Sequence, residues 1–172
     1  MTSILATALL AAACFWLSIA DRSSGPLRWR KPPELAGARL MFVETEFRTE
    51  QPFPMSARVD RAYLMTDDTL VLVELKSRRR AAVYYSDVVQ LSAQKVGVEG
   101  ATGLHVASYA FVSVHGWSSW RTARVDLLGM TQVQALAQRR QRILGHRIPP
   151  RFAQSKRLCA DCAFASSCDR KT

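Results

Sequence analysis

Hydrophobic and polar positions along the chain fall into five short β-type runs, two helical runs and one long apolar stretch. Arg39–Phe47 (RLMFVETEF) is rich in β-branched and aromatic residues, and Met55–Met65 (MSARVDRAYLM) alternates around Val59, Arg61 and Tyr63. Thr66–Asp68 supplies turn chemistry, and Thr69–Lys76 (TLVLVELK) is an apolar strand that ends in charge. Tyr85–Val98 reads as a helix, with Ser86 placed to cap it and Val88, Leu91 and Lys95 on neighbouring turns. Val106–Val114 and Thr122–Leu128 supply two more strands. Thr131–Leu144 is a second helix, capped by Gly145 and stopped by Pro149 and Pro150. Three strands, a helix, two strands and a helix make a mixed sheet flanked by helices, an α/β chain of the α+β kind.

The long apolar stretch is Ser3–Ala20, eighteen residues with no charge, Pro or Gly. As a helix it rises about 27 Å, close to the thickness of a bilayer's hydrocarbon core. Arg22, Arg28, Arg30 and Lys31 follow it and no basic side chain precedes it. The positive-inside rule then describes a signal anchor with the rest of the chain in the cytoplasm. A soluble cytoplasmic protein with this stretch as a buried core helix and a cleaved signal peptide are the other two readings. Residues 21–38, with three Pro and two Gly, form a linker. The expected organisation is a hydrophobic helix over 1–20, the linker, a core over 39–148 and a cysteine-bearing tail over 149–172.

Composition adds a direction. Hydrophobic residues at 48% and charged residues at 22% exclude a disordered chain. The net charge of +10 is lopsided: from Lys76 onward there are sixteen Lys and Arg against five Asp and Glu. Such a half suits a polyanion, either nucleic acid or an anionic membrane surface.

Candidate chemistry centres on Asp60, Glu74 and Lys76. Asp60 and Glu74 flank the hairpin that turns near Thr66–Asp68, so they fall on adjacent antiparallel strands, where opposed Cβ atoms lie about 5 Å apart. Lys76 shares the Glu74 face, because side chains two apart on a strand point the same way. Two carboxylates held this way can bind Mg²⁺ or Mn²⁺, which takes oxygen ligands and bridges them to a phosphate. Lysine beside them can orient a water or neutralise charge that builds on that phosphate. The following helix brings Gln90 toward the same mouth. Arg78, Arg79 and Arg80 lie just beyond Lys76, where a nucleic-acid backbone entering the site would pass. The charged residues interrupt an apolar strand, where an unpaired carboxylate would be costly to bury.

The four cysteines are Cys14, Cys159, Cys162 and Cys168. The last three form Cys-x-x-Cys-x5-Cys, which in a cytoplasmic chain favours metal over a disulfide. Zinc and iron–sulfur sites both take four ligands, so Cys14, His146 or a group outside the chain is left to complete the set. Cys14 cannot reach a soluble cluster from inside a membrane span.

VDRAYLMTDDTLVLVELKSR followed by SDVVQLSAQK resembles the RecB-like branch of the PD-(D/E)XK nucleases, and particularly the CRISPR-associated adaptation exonucleases. Those proteins carry an Asp on one core strand, Glu-x-Lys on the next, Gln-x-x-x-Tyr on the following helix and a C-terminal cysteine set that holds an iron–sulfur cluster. The resemblance covers roughly residues 39–168 and implies a restriction-endonuclease-like core that cleaves DNA, with single-stranded DNA among the candidate substrates. By it Asp60 and Glu74 hold Mg²⁺ or Mn²⁺, Lys76 is catalytic, Gln90 supports metal or substrate, and Cys159, Cys162 and Cys168 bind the cluster, with zinc as the alternative. Were Ser3–Ala20 the family's first core helix, Cys14 would be the upstream cysteine. Gln94 stands where the family has Tyr, and the family's earlier acidic or His position has Glu44 and Glu46 as its two candidates. Two other functions stay open: the same fold without catalysis, as a nucleic-acid-binding or assembly module, and a membrane-anchored zinc-binding protein. Arg139, Arg140 and Arg142 read as a solvated helix face, His105 and His115 as structural, and Trp117 and Trp120 as a loop pair able to pack or to stack on bases.

Overall fold

The computed structural model describes residues 29–116, 119–151, 156–160, 162–163 and 165–168. The apolar stretch 3–20, Cys14, most of the linker and Trp117 lie outside the described residues. Among the described residues no helix is long and apolar enough to cross a membrane. The chain divides into two compact units, Met1–Met130 and Thr131–Thr172.

In the first unit a 3-10 turn, Pro33–Leu35, leads into β1 (Arg39–Thr49), β2 (Met55–Leu64) and β3 (Leu70–Ser77). Helix α1 (Tyr85–Thr102) follows, and then β4 (Tyr109–His115) and β5 (Trp120–Asp126). The five strands form one mixed sheet in the order β1-β2-β3-β4-β5. Only the β3–β4 pair is parallel. A parallel pair needs a crossover, and α1 supplies it. These elements match the strands and the first helix expected from the pattern, with α1 running four residues further, to Thr102.

Position in the sheet explains the sequence of each strand. β3 is central, and Leu70–Glu74 is buried throughout, so it reads as an unbroken apolar run. One core packs α1 against the sheet through Leu91, Val98, Leu72, Val112 and Val114. The other face is covered by the segment before β1, where Leu35, Ala38 and Trp29 meet Tyr63, Val71, Val73 and Phe111.

The start of α1 corrects the expected cap. Tyr84, not Ser86, is the N-cap, and Asp87 accepts the Tyr84 N–H at 2.9 Å. Arg78 grips the same carboxylate with two bonds of 2.7 and 3.1 Å and lays its guanidinium over the Tyr84 ring. Burial works to raise the Asp87 pKa, but Arg78 and the Tyr84 N–H outweigh it and the net shift is downward. The helix ends at Gly103, which takes a left-handed φ of 71° and donates its N–H to the Glu99 carbonyl. Beyond it, Lys95 bridges Glu99 and the Val106 carbonyl while the Val106 N–H donates to Glu99. Both ends of α1 are therefore tied to the chain that flanks it.

The second unit holds α2 (Met130–Leu144), which joins the two units at its first residue, and the short α3 (Lys156–Ala160). Helix α2 spans the expected second helix and closes through Gly145, whose N–H donates to Gln141.

Helix α1 crosses the β1–β2 hairpin closely at two glycines. A Cβ on Gly97 would stand 3.0 Å from that of Ala57, and one on Gly100 would overlap the Gln51 carbonyl and the Thr49 side chain. At Gly100 the obstacle is backbone, which cannot rotate away. Gly100→Ala is expected to destabilise the fold by about 1–3 kcal/mol, despite alanine's better helix propensity. Denaturant unfolding measures this, with Gly116→Ala as a control, since a Cβ there meets only ordinary contacts.

Candidate active site

The pairing of β2 with β3 runs from Leu64↔Leu70 to Arg61↔Val73 and stops there. From that point β3 pairs with β4 alone, from Val73↔Phe111 to Ser77↔His115. The Leu75 N–H accordingly finds its acceptor in a side chain: Asp60 Oδ2, at 2.8 Å. This bond draws the Asp60 carboxyl across the gap toward Glu74.

An irregularity in the β1–β2 pair aims Asp60. Val59 and Ala62 belong to the same core cluster, although three positions apart, and Phe42 packs on that cluster which Phe47 also joins, five apart. Strict alternation would send the members of each pair to opposite faces. The strand pair therefore resets its facing in between, and on β1 the reset coincides with Glu44, whose φ is 46°. Irregularities of this kind re-aim side chains next to functional sites. The reset also separates the two candidates that alternation left equivalent. Glu46 bonds Ser56 and Arg48 at the surface, and both, Ser56 foremost, hold its carboxyl below the usual range. Glu44 pairs with Arg58 at 2.8 Å and repels the Asp60 charge.

Glu74 is only 2% exposed. Its Oε1 lies 2.5 Å from Lys76 Nζ and accepts from Gln90 Nε2 at 2.7 Å. Its Oε2 accepts from Gln94 Nε2 at 2.8 Å. Gln90 in turn accepts from Lys76 at 2.8 Å. The amide thus faces the ammonium with its oxygen and the carboxylate with its nitrogen, the one orientation that satisfies both. Gln90 and Gln94 are four apart on α1 and so share a face. The buried charge of Glu74 is matched by three donors, as a carboxylate at this depth requires.

The structure joins Glu74, Lys76 and Gln90 by direct contacts, adds Gln94 to them, and sets Asp60, bonded to the Leu75 N–H, within charge range of Glu74 and Lys76. Sequence reading set Gln94 aside as a departure from the resembling family. The signal available was its spacing of four from Gln90 on a helix that covers a carboxylate. Of the three arginines expected on a nucleic-acid path, Arg78 has its guanidinium committed to Asp87, while Arg79 and Arg80 are exposed. His105 sits 3.6 Å from Glu99, and His115 packs against the Trp120 ring with its Nε2 buried.

In the second unit Cys159 is half-buried and Cys162 and Cys168 are exposed. Successive turns link them, with the Cys162 N–H donating to Cys159 and the Ala165 N–H to Cys162. Among the described residues no three His, Cys, Asp or Glu side chains converge on a point that would hold a metal ion. This applies to the three cysteines and to Glu44, Asp60 and Glu74 alike.

No family model matches the chain, and no curated protein matches it. By shape it is similar to the crystal structure of SSO0001, with a TM-score of 0.51 over 99% of this chain and 74% of that one, at 14% sequence identity. At that identity the likeness speaks for the fold alone.

Burial, with the Glu74 and Glu44 charges, raises the Asp60 pKa above its ordinary 3.8, against the Leu75 N–H and Lys76, which lower it. A raised carboxyl favours the fold fully below the ordinary value and loses that contribution as pH rises through the folded value. Asn in its place can still accept the Leu75 N–H and does not ionise. In metal-free protein Asp60→Asn is therefore expected to melt above wild type at neutral pH, with the gap closing toward pH 3.8. A gap independent of pH in thermal scans would contradict this account.

Proposed function

We propose that the first unit is a metal-dependent nuclease core of the PD-(D/E)XK type, with a restriction-endonuclease-like sheet, that hydrolyses phosphodiester bonds of DNA. The observation that carries the reading is the Leu75–Asp60 bond, which turns Asp60 toward a buried Glu74 already in contact with Lys76. The fold gains from that bond by satisfying the Leu75 N–H, but an uncharged amide could accept it as well without setting two carboxylates in mutual repulsion.

The residues present fit a hard divalent cation. Mg²⁺ is commonly bound by one or two carboxylates together with substrate phosphates rather than by a full protein cage, so two acidic side chains suffice. Asp60 Oδ1 takes no part in the bond to Leu75, and Glu74 Oε2 has one donor where Oε1 has two. When bound, Mg²⁺ or Mn²⁺ would polarise the scissile phosphate and stabilise its developing charge. Water oxygen forms the new bond to phosphorus as the P–O bond to the leaving sugar oxygen breaks. Lys76, 24% exposed at its side chain, faces the site as a compact cation able to orient that water. Gln90 holds the ammonium in place. The exposed Arg79 and Arg80 and the basic second half of the chain suit a nucleic-acid backbone.

One observation favours a second reading. Glu74 is neutralised by the chain's own donors, so the site is stable with no cation in it. A noncatalytic nucleic-acid-binding module of the same fold would look the same. The purified full chain with Mn²⁺ on single-stranded and duplex DNA separates the two. Glu74→Gln and Lys76→Met should each lower cleavage by about 100-fold or more while leaving binding largely intact. Binding by wild type without cleavage would favour the second reading.

For the tail we propose a cysteine-ligated cluster on Cys159, Cys162 and Cys168, with His146 or a group outside the chain as fourth ligand. Its support is the spacing in the sequence, since the thiols do not converge in the structure; ligation would have to draw them together and would add folding energy. Protein purified without oxygen is expected to be brown and to absorb near ~400 nm if the cluster is iron–sulfur; colourless protein with stoichiometric zinc would give the site to zinc instead. The anchor role of residues 3–20, with the catalytic unit on the cytoplasmic side, rests on the apolar run and the arginines after it.

A further inference from the structure

We propose that Gln94 is a positioning residue that fixes how the Asp60 and Glu74 carboxylates face each other, and so which oxygen of Glu74 is left for a cation. The second half of this statement rests on the nuclease reading; the first does not.

Past Arg61↔Val73 no strand pairing joins β2 to β3. Two side chains hold the parted strands instead. Asp60 is one, through the Leu75 N–H. Gln94 is the other, for its Nε2 donates at 2.8 Å both to the Arg58 carbonyl on β2 and to Glu74 Oε2 on β3. Arg58 is two residues before Asp60 on the same strand, so the amide grips β2 next to one carboxylate and grips the other directly. A backbone carbonyl and a carboxylate can only accept, which fixes the amide's orientation. Gln94 is only 2% exposed, so no solvent stands ready to replace its two N–H groups. Their loss would leave a buried carbonyl and a carboxylate oxygen unsatisfied.

The same bond decides the facing of Glu74. A carboxylate has about four lone-pair positions. Lys76 and Gln90 take those of Oε1, and Gln94 takes one on Oε2. The remaining position lies on Oε2. A cation shared with Asp60 would bind there, through one Glu74 oxygen, with Lys76 kept apart on the other edge.

Two substitutions in the full chain test this. Gln94→Met keeps the length of the side chain and removes both donors; Gln94→Glu keeps the shape and replaces the donor with a titrating acceptor. In metal-free Gln94→Met the Leu75 amide should exchange with solvent about tenfold faster, while the amides of Leu70–Val73 keep their protection and the helical circular dichroism is unchanged. Its Mn²⁺ affinity should fall about tenfold or more, and kcat should fall with KM little moved. Gln94→Glu should likewise speed exchange at Leu75, because a carboxylate in its place cannot donate to the Arg58 carbonyl or to Glu74 Oε2. Wild-type exchange at Leu75 in Gln94→Met would overturn the clamp. If wild type neither binds Mn²⁺ nor cleaves DNA, the nuclease reading and the choice of oxygen fail together, and the Leu75 exchange alone still decides whether Gln94 holds the strands.

Discussion

The site depends on one substitution of roles, in which a side-chain carboxylate accepts a strand N–H that the neighbouring strand no longer reaches. β2 and β3 form an ordinary hairpin up to Arg61 and Val73, and then β3 follows β4 alone. A backbone N–H left unpaired at such a fork is costly. Asp60 satisfies that of Leu75, and in doing so its carboxyl is held where it is poorly solvated and close to a second acid. The raised Asp60 pKa is the electrostatic trace of that placement. At this residue one bond satisfies the backbone and also raises the cost of the charge, a conflict commonly found at functional sites.

Glu74 answers a different need. A buried carboxylate needs donors to match its charge, and here an ammonium and two amides converge on it. The amides come from one face of α1, so the helix acts on the site as well as on the core. Polar contacts help to place it, between Arg78 and Asp87 at the start and from Lys95 and Glu99 to the Val106 backbone at the end. The sheet supplies the carboxylates and the helix supplies their partners.

Much of this was legible in the sequence. The strands were visible because β3 opens on the apolar run Leu70–Val73 and β2 alternates through much of its length, and the hairpin spacing set Asp60 and Glu74 on adjacent strands with Lys76 on the Glu74 face. What was not legible depended on exceptions to alternation or on contacts across the fold. Glu44 and Glu46 looked equivalent because a positive φ at a non-glycine cannot be read from the residue name. Ser86 looked like the cap because its side chain is a good one, yet Tyr84 is the cap and Asp87 secures it, with help from Arg78, nine residues upstream in the loop after β3. Arg78 looked like one of three equal cations for the same reason. Gln94 carries no mark of burial in a local window, since only the fold decides that an amide lies over a carboxylate. The close crossing at Gly100 is equally silent until Gln51 and Thr49 are seen beneath it.

The tethering of α1 at both ends has a consequence for how this chain can change length. The helix turns by about 100° per residue, so adding or deleting one residue between Asp87 and Gln90 would turn the amides and the Lys95–Glu99 end together out of phase with the Arg78–Asp87 end, and the two anchors could not both be kept. The same change between Arg80 and Val83 leaves the helical phase untouched. Drift in the length of this protein should therefore collect in the turn ahead of the helix, and hardly ever inside its first turns.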